Sequence, residues 1–93
     1  VIVDAANPRA SVIFDFWAGS RTVEVDGEIF NDGNTFIEQV EIEIALYDEF
    51  GQYIKSVYQG FRVDLRPQDS FIFSTDLREF DVYDVDVLIS TFW

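Results

Sequence analysis

Between residues 36 and 46 the chain alternates apolar and polar side chains: Val40, Ile42, Ile44 and Leu46 take even positions, and Gln39, Glu41 and Glu43 take odd ones. A period of two belongs to a half-buried β-strand, whose successive side chains point to opposite faces, and it conflicts with the 3.6-residue stripe of a helix. The same rule holds over 21–30, where Val23, Val25 and Ile29 oppose Thr22, Glu24 and Glu28. It returns near the end, where Val85, Val87 and Ile89 oppose Asp84, Asp86 and Ser90. Shorter runs at 11–17, 53–58, 61–65 and 70–74 bring the expected number of strands to seven. No segment carries a helical period, and 77–84 reads as a crossing connection.

The residues between these runs have turn chemistry. Gly19-Ser20, Asn31-Asp32-Gly33-Asn34, Asp48 to Gly51, Gln59-Gly60 and Arg66-Pro67-Gln68-Asp69 each combine a φ-permissive or φ-fixed residue with short polar side chains. Asp26-Gly27 has the same composition, but a turn there would leave flanking strands of only about three to four residues; Gly27 is therefore expected to mark a bulge or a close approach. Strands and turns at this spacing predict an all-β fold, an antiparallel β-sandwich of about seven strands in the immunoglobulin/fibronectin III manner, with a small barrel as the competing architecture. A length of 93 residues suits one domain over 1–93, in which residues 1–10 serve as a linker or a lead-in to the first strand.

Charge narrows the partners. There are 18 acidic residues against 6 basic ones, for a net charge of −12. Such a surface repels phosphate backbones and anionic head groups, so neither nucleic acid nor a lipid surface is an expected partner. No apolar run in this segment approaches the ~20 residues of a membrane-spanning helix. The acid-rich, lysine-poor composition suits concentrated salt, where screening over ~3 Å at 1 M relieves carboxylate repulsion; the alternative is an ordinary acidic exported domain.

Chemistry is narrowed as well. Cysteine, histidine and methionine are all absent. No disulfide staples the fold, zinc, haem and iron–sulfur centres lose their usual ligands, and nucleophilic triads lose their base. Carboxylates remain, but a small domain offers little room for a glycosidase cleft, and Asp26-Gly27 and Asp32-Gly33 lack the paired context of an aspartic protease. The expectation is a non-enzyme without a cofactor. Calcium is the one metal considered, with Asp81, Asp84 and Asp86 as candidate ligands, or Asp32 and Asn34 at the opposite turn; no EF-hand spacing occurs.

The stretch "GEIFNDGNTFIEQVEIEIALYDEFGQYI", 27–54, resembles the FxLYD domain family, in which a Gly-x-x-x-Asn segment precedes a long strand ending in Phe-x-Leu-Tyr-Asp. Here the run is Ile44-Ala45-Leu46-Tyr47-Asp48, with isoleucine in place of the leading aromatic. The downstream "LRPQDSFIF", 65–73, resembles that family's proline turn and Phe-rich strand. The resemblance implies an immunoglobulin- or fibronectin-like sandwich in an extracytoplasmic protein, at the cell surface or secreted, with no shared enzymatic activity. The residues agree on their own terms. Ile44 and Leu46 face inward and Tyr47 outward, Asp48 accepts from turn amides, Gly51 holds the fourth turn position, and Asn31 satisfies loose backbone groups where the second strand ends.

What asks for a partner is the second face of the strands. Ile13, Trp17, Ile72, Leu88 and Phe92 fall opposite the inward Phe14, Phe16, Phe71, Phe73 and Val87. Were the terminal strands to lie together, these five would form one apolar patch, the mark of an interface for a protein partner or for self-association. The alternative is that end strands switch sheets or lie under the 77–84 connection, which would bury some of them in the ordinary core. Two functions follow: a surface module acting in protein–protein contact, adhesion or assembly, or a carbohydrate-binding module that stacks sugars on Trp17, Trp93 or Tyr58.

Overall fold

The computed structural model describes residues 10–19 and 21–93, so of the expected lead-in only Ala10 falls within it. Six strands follow in order: β1 (Ala10–Ala18), β2 (Val23–Asn31), β3 (Ile37–Tyr47), β4 (Tyr53–Leu65), β5 (Ser70–Leu77) and β6 (Asp84–Phe92). They form two antiparallel three-stranded sheets, ordered β1-β2-β5 and β4-β3-β6. The sheets lie face to face, β1 against β6 on one side and β4 beside β5 on the other. Among the described residues there is no helix.

Six strands replace the expected seven because Gln59-Gly60 does not turn. The inward alternation Val57, Phe61, Val63, Leu65 runs through it, and Gly60 pairs with Glu41 in the middle of the β3 ladder. Turn composition loses to a partner strand that offers hydrogen bonds without a break.

The core is the set of side chains named by the alternation. Val23, Val25 and Ile29 from β2 meet Val40, Ile42, Ile44 and Leu46 from β3, all without solvent contact, and Phe73, Leu77, Val85 and Val87 complete the layer. β-Branched residues dominate because they pack well on a pleated surface. Gly27 lies on the inward face of β2 between Phe14 and Phe73, in unbroken register. A Cβ there would fall 2.5 Å from Phe73 Cζ and 2.7 Å from the Ile13 carbonyl oxygen, so the glycine serves close packing and not a bulge.

Asn31 joins four segments at the lower end. Its amide nitrogen donates to the carbonyl oxygens of Thr35 (2.8 Å) and Leu65 (3.0 Å), its amide oxygen accepts from the Gly33 N–H (3.1 Å), and its side chain is buried. Its backbone binds the proline turn, accepting from Gln68 N–H and donating to the Asp69 carbonyl. In that turn Pro67 precedes Gln68 at φ 73°, as a type II turn requires.

At the upper end, Asp48 Oδ1 accepts from the N–H groups of Phe50 and Gln52, both at 2.9 Å. Gly51, at φ 77°, donates to the Asp48 carbonyl, giving a three-residue hairpin loop with its left-handed position filled by glycine. Tyr47 faces outward and meets Tyr53 edge-on, with ring centroids 6.0 Å apart. The Leu-Tyr-Asp run and the Asn before it thus build corners.

Candidate functional site

The topology distributes the second-face residues. On the outer face of the β1-β2-β5 sheet, Ile13 pairs with Glu28 and Glu28 with Ile72, so a carboxylate stands between the two isoleucines; Trp17 pairs with Glu24, and Glu24 with Asp76. A groove of about 360 Å³ runs here between Ile13 and Ile72, edged by Asp15, Asp26 and Glu28. Leu88 is exposed on the other sheet, paired with Glu43. Phe92 is turned inward against the core. The cause is a one-residue bulge in β6: Ile42 pairs with Ile89 but Glu41 with Thr91, leaving Ser90 as the extra residue and inverting the alternation beyond it. The five residues therefore do not form one patch.

Trp17, Tyr58 and Trp93 do not come together either. Trp17 stands at the upper end of β1, its indole laid over Gly19; Tyr58 is on the outer face of β4, and Trp93 follows β6 at the lower end, where its backbone pairs with Gln39. The three are spread over both ends and a face, so they do not form one shared platform. For the acids, no group of three carboxylates poised to hold a metal ion occurs among the described residues. Asp84 accepts from the Val85 N–H, Asp86 pairs outward beside Ala45, Asp81 sits in the loop at φ 60°, and Asp32 at the other end accepts from Ser11.

The topology does gather a set of residues that the face alternation leaves out. Residues 18–19 and 21–23, 47–53 and 77–84 lie at the same end of the sandwich, because β1, β3 and β5 all end there. They carry Phe50 (80% exposed), Phe80 (64%) and Tyr83 (58%), with Trp17, Tyr53 and Ile54 on the adjoining strand ends, half of the twelve exposed large hydrophobics among the described residues. Turn segments favour short polar residues, so a phenylalanine at 50 or 80 is the signal in the sequence.

This end is held firmly. Val82 is buried, the Tyr83 N–H donates to the Tyr47 carbonyl at 2.9 Å, and Lys55 Nζ sits 2.9 Å from Glu79 Oε2, tying the 77–84 loop to β4. Two hollows open beside it. One, of about 540 Å³, lies among Phe16, Ala18, Gly19, Asp81, Val82 and Tyr83; the other, of about 420 Å³, is lined by Arg21, Thr22, Arg78 and Phe80. Away from this end, Arg62 Nε lies 3.2 Å from Asp64, whose hydrogen bond and charge, with the charge of Glu38, raise the guanidinium above its ordinary pKa.

Comparison with known proteins adds the fold and no chemistry. No protein-family model matches the chain, and no curated protein does. Among solved structures, the chain is similar to the crystal structure of a DUF1425 family member from Shewanella sp. pv-4, with a TM-score of 0.64 over 88% of this chain and 77% of that one, at 9% sequence identity. At that identity the likeness shows a shared β-sandwich arrangement alone.

Proposed function

We propose that this chain is a non-enzymatic β-sandwich module of an extracytoplasmic protein, acting by contact with another protein through the loop end built by 47–53 and 77–84. The observation that carries the reading is the gathering of Phe50, Phe80 and Tyr83, each more than half exposed, on neighbouring loops with no part in the core. Aromatic residues are enriched at interfaces, and loops on a rigid sandwich are the usual place for binding residues. The strand faces serve less well, since Glu28 and Glu43 stand beside the apolar residues there.

The strand order supports an immunoglobulin-like reading of the sandwich. The β1-β2-β5 sheet corresponds to A-B-E, and β3 and β6 to C and F of the other sheet, with no strand on the free side of β6 among the described residues. The FxLYD resemblance supports a place at the cell surface or in a secreted protein. It also suits a role in adhesion or surface assembly.

The test is site-specific cross-linking in the producing cell, with a photoreactive phenylalanine analogue at position 50 or 80 and, as controls, at 72 or 88. The expected result is a discrete protein adduct from the loop positions and none from the strand faces. Adducts from all four positions alike, or from none, would overturn the proposal.

A further inference from the structure

We infer that the hollow between Arg21 and Arg78 receives a carboxylate of the protein partner, with the Phe80 ring packing against the apolar residue beside it. The inference rests on the contact reading above and names the chemistry of the partner segment: acidic and aromatic or aliphatic in alternation.

In a chain with 18 acidic and 6 basic residues, the ordinary expectation is that each cation is surrounded by carboxylates. Arg62 and Lys55 follow it, paired with Asp64 and Glu79. Arg21, Arg66 and Arg78 do not: among the described residues none of the three makes an ion pair, and Arg21 and Arg78 line one hollow with Thr22 and Phe80. The ladder brings them there. Val23 pairs with Leu77, so Thr22 and Arg78 lie one step beyond the last paired position, with Arg21 alongside.

Two like charges set side by side at a strand end destabilise the pair, and an anion between them reverses the sign. No carboxylate lines the hollow itself, although Glu24 and Asp76 stand on the same outer face one step behind the Val23–Leu77 pair. Glu79, next to Arg78 in sequence, is drawn away to Lys55 at 2.9 Å. The loop that carries Arg78 and Phe80 is fixed by that ion pair, by buried Val82 and by the Tyr83 to Tyr47 hydrogen bond. The site is thus pre-organised, which lowers the ordering cost of binding. Guanidinium groups present planar forks that match a carboxylate, and Phe80 and the hydroxyl of Thr22 add an apolar wall and a hydrogen-bonding group. The protein's net charge disfavours anions at long range, but at 0.1 M salt the screening length is ~10 Å, so distant carboxylates are muted while contacts in the hollow are not.

The experiment is a titration of the isotope-labelled domain in 0.1 M KCl, followed by amide chemical shifts, with three probes: the acetylated peptide Glu-Phe-Glu, its Lys-Phe-Lys counterpart, and sodium sulfate. The acidic peptide is expected to shift Arg21, Thr22, Arg78 and Phe80 saturably, with a midpoint on the order of 1–10 mM. The lysine peptide is expected to leave them unmoved. In the variant Arg21→Gln/Arg78→Gln, whose exposed side chains leave the remaining spectrum unchanged, the midpoint is expected to rise at least tenfold. No saturable shift, equal shifts from both peptides, or unaltered binding in the variant would overturn the inference. Sulfate binding as tightly as the acidic peptide would also overturn it, as a general oxyanion site. If the peptide fails while the cross-link at position 80 persists, the hollow is not the point of contact, and the contact reading stands without it.

Discussion

Replacing Asn31 by alanine removes three side-chain hydrogen bonds at a position 1% exposed. The loss is uneven. Thr35 is exposed, so its carbonyl turns to water at little cost, whereas the Leu65 carbonyl and the Gly33 N–H lie in buried residues and lose a partner. Each buried group left unsatisfied costs ~1–3 kcal/mol, so Asn31→Ala is expected to cost about 3 kcal/mol. A domain of this size has about 5–14 kcal/mol in all, and each kcal/mol moves its melting temperature by about 4–8 °C. The expected fall is therefore about 12–24 °C, read by urea and thermal unfolding followed by circular dichroism at fixed salt. Asn31→Asp sharpens the test. It keeps an acceptor for Gly33 but turns an acceptor toward two carbonyl oxygens, so at neutral pH it is expected to lose at least as much as alanine. A loss below about 1 kcal/mol for alanine, or a near-neutral aspartate, would refute the hydrogen-bond reasoning.

Three further outcomes are expected. Gly27→Ala drives a Cβ to within 2.5 Å of Phe73 Cζ and 2.7 Å of the Ile13 carbonyl, and should cost about 2–3 kcal/mol in the same unfolding assay, part of it recovered by adding Phe73→Leu; additive losses would contradict the clash. Gln68→Gly relieves a left-handed residue at φ 73° after Pro67 and is expected to stabilise by about 0.5 kcal/mol, a loss of stability counting against the turn assignment. With a net charge of −12, the melting temperature should rise between dilute buffer and ~2 M KCl; a flat or falling value would remove the case for a high-salt protein.

How far the sequence carried this account differs from feature to feature. The period-two runs placed Val23, Val25, Val40, Ile42, Ile44 and Leu46 inward, because burial on one face of a strand fixes parity. Asn31 and the Asp48 to Gly51 corner were legible because turn chemistry is local. Gln59-Gly60 was not, since its turn composition is overruled by its pairing with Ile42 and Glu41 of β3, which are not adjacent to it in sequence. Phe92 was misplaced because a bulge at Ser90 changes parity without leaving a compositional trace. The separation of Leu88 from Ile13 depends on which strand joins which sheet, and alternation carries no information on that. The loop end was missed in the sequence: Phe50, Phe80 and Tyr83 are large aromatics in turn segments, but only the shared direction of β1, β3 and β5 brings those segments together.

The central claim is that these loop aromatics are held in solvent for a partner and not for the fold. The most direct measurement is the unfolding free energy of the triple variant Phe50→Ser/Phe80→Ser/Tyr83→Ser. Surface changes away from packing features usually stay within ~0.5 kcal/mol each, so the account expects a variant about as stable as the parent. A loss of several kcal/mol would show that the three rings hold the sandwich together, and would contradict the claim that this end is a contact surface.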